Sequence, residues 1–428
     1  MSPSSPTSRT PLRSPRPPSP ARTATGGAAA TSAASPSLGR GLILLMALAA
    51  GLSAAGNYFA QPLLDLITQD LHIGVTMAGL IVSAAQAGYA LGLILLVPLG
   101  DITERRRLAV GLFAATALFL LLAAAAPSGP VLLAGTALVA LTSVGAQVVV
   151  PFAATLAAPE ARGRIVGIVM SGVLLGGLLG RTAAGALSEL GSWRTVYWVN
   201  ALLMIAMAVL LHLKLPRLSP AARTVPVSYG GLIRSTLALL RQEPLLRSRA
   251  AIGAFSMASY SVQLTALTFL LTQRPYGWTA VGIGFFGLLG VIGVVGMNFA
   301  ARLGDRGHVQ AVSGAAGVLL TLAWLPLLAG GTSLWWLATG VIVLNIAQQA
   351  GLNSSQNVIY TLNPEARNRI NSAFMTLFFA GGAAGASLTA VVWARAGWPG
   401  VCALGAALAA VSAALWVLER VRERARNR

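Results

Sequence analysis

The chain has 428 residues, 56% of them hydrophobic and only 10% charged, with a net charge of +19 and a mean hydropathy of +0.74. Soluble domains carry about 25% charged residues, so this composition excludes a soluble globular protein and describes a polytopic helical protein held in a lipid bilayer. No hydrophilic stretch is long enough for a nucleic-acid-binding domain, Cys402 has no second cysteine to pair with, and the only lysine, Lys214, lies in no phosphate-binding loop. His72, His212 and His308 are far apart in sequence. Nothing assembles a hydrolytic or metal site, so the chain reads as neither an enzyme nor a cofactor carrier.

Residues 1–39 are rich in Ser, Pro, Ala and Thr, a composition that cannot bury a core and is expected to be disordered. Twelve apolar spans follow, at 41–64, 76–99, 107–126, 130–156, 163–188, 193–213, 250–272, 279–301, 308–329, 333–361, 369–393 and 397–418. They divide into halves at 40–213 and 250–419, with a basic tail at 420–428. The one long connection, 214–249, is basic and contains Pro216, Pro220 and Pro226, and its second part is expected to lie as an amphipathic helix on the membrane surface. If both termini are cytoplasmic, 26 of the 30 basic residues fall on the cytoplasmic side. That bias supports an even number of spans in a cell inner membrane.

The halves repeat. Pro159-Glu-Ala-Arg-Gly-Arg164 returns 205 residues later as Pro364-Glu-Ala-Arg-Asn-Arg369, and Gly176-Gly177-x-x-Gly180 as Gly381-Gly382-x-x-Gly385. Gly100-Asp101 returns as Gly304-Asp305, and Thr76 with Gly79 as Thr279 with Gly282. Such a register describes two six-helix units in parallel repeat.

Polar residues sort by span. Spans 3, 6, 9 and 12 are nearly bare of them. Span 1 carries Ser53, Asn57, Gln61 and Asp65 at four-residue spacing, one face of a continuous helix. Gln86 stands in span 2, Ser143 and Gln147 in span 4, Tyr260 and Gln263 in span 7, and Asn345, Gln349 and Asn353 in span 10. Amides facing lipid are penalised, so these stripes either line a shared cavity or glue helices together.

In span 5 one full charge, Arg181, sits among glycines at 167, 172, 176, 177, 180 and 185. Closely spaced glycines let a neighbouring backbone approach. A buried charge marks a functional site by default, the alternative being an arginine that snorkels to the surface. The repeat has Ala386 at the matching position, so the charge is no requirement of the repeat unit.

Taken together, two six-helix halves, peripheral spans 3, 6, 9 and 12 and a basic central loop resemble the major facilitator superfamily over essentially everything after residue 40. Gly100-Asp-Ile-Thr-Glu-Arg-Arg-Arg107 resembles that superfamily's motif between helices 2 and 3, with Asp305-Arg306-Gly307 as a shorter second copy. The resemblance implies an all-α membrane protein of twelve transmembrane helices in two pseudo-symmetric halves. In it Asp101, Arg105, Arg106, Asp305 and Arg306 form gating loops, with Asp101 docked on the other half or a helix N-terminus. Gly167, Gly176, Gly180 and Gly185 match the superfamily's helix-5 antiporter motif, which implies export by exchange; Arg181 stands where proline is usual. The local words resemble a bacterial branch of arabinose- or drug-efflux permeases, although Leu141 replaces the arginine usual in helix 4 of proton-coupled exporters. The resemblance also implies a monomer.

The expectation is a secondary transporter that exports a small organic molecule in exchange for protons by alternating access. Its cavity is expected around Asn57, Gln61, Gln86, Gln147, Arg181, Tyr260, Gln263, Asn345, Gln349 and Asn353. Asp65 and Arg181 are the proton-coupling candidates, Arg181 reaching Asp65 in one state, with Glu189 as a competing partner. A facilitator or proton-coupled importer of a small organic anion is the alternative.

Overall fold

Within the unit Leu38–Arg428, the structure, a computed structural model, describes residues 39–56, 58–158, 161–217, 228–293, 302–362 and 367–426. A chain in hydrocarbon must satisfy its own N–H and C=O groups, so the apolar runs become helices. Span 1 is α1 (Arg40–Ala55) and α2 (Leu64–Leu71), span 2 is α3 (Val75–Leu95), and span 3 is α4 (Arg105–Ala124). Span 4 is α5 (Gly129–Thr142) and α6 (Gly145–Leu156), span 5 is α7 (Arg162–Ser188), and span 6 is α8 (Trp193–Lys214). The connection contributes α9 (Tyr229–Gln242). Span 7 is α10 (Pro244–Thr272), span 8 begins as α11 (Ala280–Phe286), and span 9 is α12 (Val309–Leu322) with α13 (Trp324–Ala329). Span 10 is α14 (Leu334–Ile359), and α15 (Arg367–Arg426) is spans 11 and 12 joined at a break at Gly397. Gly397 has φ +55°, a left-handed conformation that glycine adopts without steric cost.

Eight of the described helices are long and apolar enough to cross a membrane, the last covering two spans. The other three spans fall short. Span 10 is long but diluted by its amides, span 1 is interrupted, and span 8 is described only as far as residue 293.

The interruption of span 1 corrects the four-residue stripe. Past Ala55 the backbone tightens into i to i+3 bonds, Tyr58 N to Ala55 O (3.0 Å) and Leu63 N to Ala60 O (3.2 Å). Pro62 cannot donate and clashes with a continuing α-helix, so it opens a 3-10 turn, Gln61–Leu63. Ser53 and Asp65 therefore share no face with Gln61. Ser53 instead donates to Ser143 O (2.5 Å) and accepts from Ala146 N (3.0 Å), bridging the break in span 4. Asn57 lies outside the described residues.

The repeat is visible in the packing. Cβ atoms added at Gly172, Gly176 and Gly180 would stand 2.2, 2.0 and 2.7 Å from Ala47 O, Gly51 O and Ala55 Cβ on α1. In the second half, Cβ atoms on Gly381 and Gly385 would stand 2.1 and 2.2 Å from Ala254 O and Ala258 O on α10. Each half thus seats its fifth helix on its first through glycine. Gly167 departs from this pattern, with open space around it. The expected peripheral spans carry exposed large apolar side chains, such as Leu118, Leu202, Val209, Leu319, Leu325 and Leu418, as contact with lipid requires.

The halves meet at the ends of the spans opposite the termini. On one side Gly79 of α3 packs on Ala390 of α15, and Ser387 Oγ donates to Ser83 Oγ (2.8 Å). On the other, Gly185 packs on Ala280, and Thr182 Oγ1 donates to Gly284 O (3.0 Å). Ser387 follows Thr182 by the same 205 residues as the rest of the repeat.

The second half has a buried ionic fastening. Helix α10 starts at Pro244, six residues before the expected span, and Arg249 is fully buried. Its guanidinium pairs with Glu419 (2.5 Å) and donates to Ser313 Oγ and Gln310 Oε1 (2.7 Å each), joining spans 7, 9 and 12. Helix α9, capped by Ser228 on Gly231 N (3.1 Å), ties to both halves. Tyr229 Oη donates to Leu95 O (2.6 Å), and Ser235 Oγ accepts from Arg369 (3.3 Å).

Candidate functional site

Just beneath the closure a cavity of about 410 Å³ lies between the halves. Gln61, Pro62 and Arg181 line it from the first half, and Gln263, Thr268, Ile283, Gly287 and Asn345 line it from the second. Both irregular helices, spans 1 and 8, reach it. Discontinuous helices are tolerated at membrane depth where they line a cavity rather than lipid.

Arg181 is 9% exposed. Its Cζ lies over the Tyr58 ring, 4.8 Å from the centroid, a cation–π contact worth roughly 0.5–2 kcal/mol. Its stem runs past Gly287, where an added Cβ would make an ordinary contact, 3.8 Å from Arg181 Cδ. Among the described residues Arg181 forms no ion pair, and its buried Nε has no hydrogen-bond partner. Asp65 is engaged elsewhere, accepting from Gln69 Nε2 (2.7 Å). Among the described residues, no carboxylate lines the cavity.

The amides around Arg181 are similarly open. Gln263 is fully buried with neither Nε2 nor Oε1 bonded, and Gln61 Oε1 is buried without a partner. Asn345 is satisfied: its Nδ2 donates to Val341 O (2.8 Å) and its Oδ1 accepts from Tyr260 Oη (3.2 Å). Thr268 Oγ1 donates to Gln61 O (3.2 Å), a link between the halves that a search for amides and charges passes over.

The structure therefore gathers Gln61, Arg181, Gln263 and Asn345 at one cavity, with Tyr260 behind Asn345. Gln86, Gln147, Gln349 and Asn353 are not among its lining residues. Gln147 donates to Tyr89 Oη (3.4 Å), whose ring stacks edge-on against Phe379 of span 11 at 4.5 Å. Gln86 is buried in span 2 with both amide atoms unbonded. Asn353 accepts from Asn357 (3.1 Å), and Gln349 is half-buried on the same helix. Gln348, absent from the expected set, is the buried one of the pair and lines a second cavity of about 400 Å³ inside the second half.

The loop arginines act as helix fasteners. Arg105 Nη1 donates to Pro151 O (3.2 Å) and Thr155 Oγ1 (2.6 Å) near the end of α6, and Arg106 donates to His212 O at the end of α8. Cations suit these positions because the last carbonyls of a helix lack partners. The side chains of Asp101 and Asp305 lie outside the described residues, and Arg306 is exposed. At the opposite face Asp70 accepts from Arg194 and from Trp193 Nε1 (2.9 Å), joining α2 to α8. The Arg194 and Trp193 hydrogen bonds hold its carboxyl below the usual carboxylate range.

An all-helical molecule of two repeated halves around a polar midmembrane cavity is a membrane transporter in architecture. The model of the Major Facilitator Superfamily matches residues 46–386, and the chain belongs to that family. It is 43% identical to the uncharacterized transporter YgaY of Escherichia coli O157:H7 over 88% of this chain and 94% of that protein. It is 29% identical to the chloramphenicol resistance protein of Streptomyces lividans over 66% of this chain and 71% of that protein. In fold it resembles a bacterial homolog of the human lysosomal transporter Spinster in an inward-facing, occupied conformation, with a TM-score of 0.71 at 15% identity, over 88% of this chain and 96% of that one.

Proposed function

We propose that the chain exports a small organic molecule from the cytoplasm across the inner membrane by alternating access. The observation that carries this reading is the cavity between the halves, where Arg181 Nε, Gln61 Oε1 and both amide atoms of Gln263 are buried without hydrogen-bond partners among the described residues. Buried polar groups are normally satisfied, and exceptions concentrate where a ligand binds. The contacts between the halves at the ends opposite the termini support an inward-facing reading, given the cytoplasmic termini that the distribution of basic residues favours. Rocking of the halves would break the Ser387–Ser83 and Thr182–Gly284 bonds and open the other side.

The glycine contacts of span 5 and the likeness to a chloramphenicol resistance protein support export rather than import. Asp65 is the proposed proton carrier, one turn above Gln61 and within reach of Arg181 once span 1 moves. Everted vesicles carrying the chain, given an imposed inward-acid proton gradient, are expected to accumulate cargo in their lumen. Asp65→Asn is expected to remove that pH dependence. Accumulation only in right-side-out vesicles, or flux indifferent to the gradient and to Asp65→Asn, would sink this reading.

A further inference from the structure

We infer that the cavity recognises an organic anion that also carries a hydroxyl or N–H donor, with Arg181 supplying the charge that the anion neutralises. This deepens the transport reading and rests on it for the role of the cavity. Four observations carry it. Among the described residues, Arg181 is the only charged one lining the cavity. It makes no ion pair among the described residues, and its buried Nε is free. An uncompensated guanidinium in a low-dielectric site destabilises the protein, so a counter-charge arriving with a ligand gains more there than at a surface. The fold does not need the cation: span 11 seats on span 7 through the same glycine pattern with Ala386 at the matching position.

The neighbouring groups set the rest of the specificity. Gln263 offers an unpaired donor beside the guanidinium, and Gln61 Oε1 and Gln263 Oε1 are unpaired acceptors, which an anion alone leaves unsatisfied. A ligand with both a carboxylate-like group and a donor pairs with the guanidinium and the Gln263 amide N–H and supplies a hydrogen bond to one of the two acceptors. Pro62, Leu264, Leu267, Ile283 and Val341 supply apolar walls for its carbon frame. Tyr58 stacks on the guanidinium and leaves its edge for the ligand.

The full chain in nanodiscs, titrated with benzoate, benzamide and benzamidine, compares a negative, a neutral and a positive head group on one frame. Thermal-shift titration is expected to show benzoate binding at least tenfold tighter than benzamide, benzamidine binding more weakly than either, and 4-hydroxybenzoate binding tighter than benzoate. Arg181→Gln is expected to bring benzoate to the level of benzamide while benzamide is unchanged. Should that variant not fold, the ranking of the three probes on the unaltered chain still decides. Benzamide or benzamidine matching benzoate, or no binding by any probe, overturns the inference. Vesicles that expel benzamidine but not benzoate would overturn the anion and keep the exporter. Benzoate binding with no flux in either direction would do the reverse.

Discussion

Spans 5 and 11 are the same helix used twice, and they differ at one position that matters. Both seat on the first helix of their half through glycines 205 residues apart, and both send a hydroxyl, Thr182 or Ser387, across to the other half. One turn into the contact they diverge. Ala386 is fully buried in an apolar cluster with Leu64, Val82 and Phe269, whereas Arg181 stands at a cavity. The repeat supplies scaffold and gate; the substitution of a cation for a methyl group supplies chemistry. A pseudo-symmetric carrier needs an asymmetric site only where cargo binds, and here that asymmetry rests on a single residue.

The largest expected effect lies in the other asymmetry: the second half holds a buried ion pair, Arg249 with Glu419, where a pair of the first half, Arg194 with Asp70, is exposed. Arg249→Ala leaves Glu419 buried without its partner and is expected to cost about 3–5 kcal/mol. Replacing both with apolar residues should recover most of that loss, as thermal melts in detergent would show; equal melts for the single variant and the parent would remove this difference between the halves. Next come the shared glycine seats. Gly176→Val and Gly381→Val each drive a side chain into a backbone oxygen and are expected to destabilise by at least about 1–3 kcal/mol, whereas Gly167→Val, in open space, is expected to leave the melting temperature unchanged. Unequal costs at 176 and 381 would break the equivalence of the two helices. Smallest are the gate hydroxyls. Thr182→Val and Ser387→Ala each remove one hydrogen bond worth about 0.5–1.5 kcal/mol. Spin-label distances across the outer ends should shift toward the open population by similar amounts for both, and a shift for only one would assign the gate to one side.

Much of this was legible in the sequence because it is encoded locally or by repetition. Apolar runs, the 205-residue register and the bare peripheral spans need no knowledge of partners. The position of Gln61, Arg181, Gln263 and Asn345 on polar helices was legible for the same reason. What failed was rotation and long-range pairing. Four-residue spacing puts Ser53 beside Gln61 only if the helix continues, and α1 ends at Ala55, ahead of the 3-10 turn that Pro62 opens. Gln348 and Gln349 are adjacent in sequence, and only packing decides which one is buried. Arg249 looked like one more cytoplasmic charge, since its partner Glu419 lies 170 residues away.

The central claim is that the cation of span 5 faces an aqueous route while its counterpart in span 11 does not. Cysteines placed one at a time at Arg181 and Ala386, in a Cys402→Ser background, can be challenged with a membrane-impermeant thiol reagent from each side. Arg181→Cys is expected to react readily from the side bearing the termini, and Ala386→Cys to stay inert. Equal reactivity at the two positions, or an Arg181→Cys that reacts only with a lipid-soluble reagent, would contradict the account.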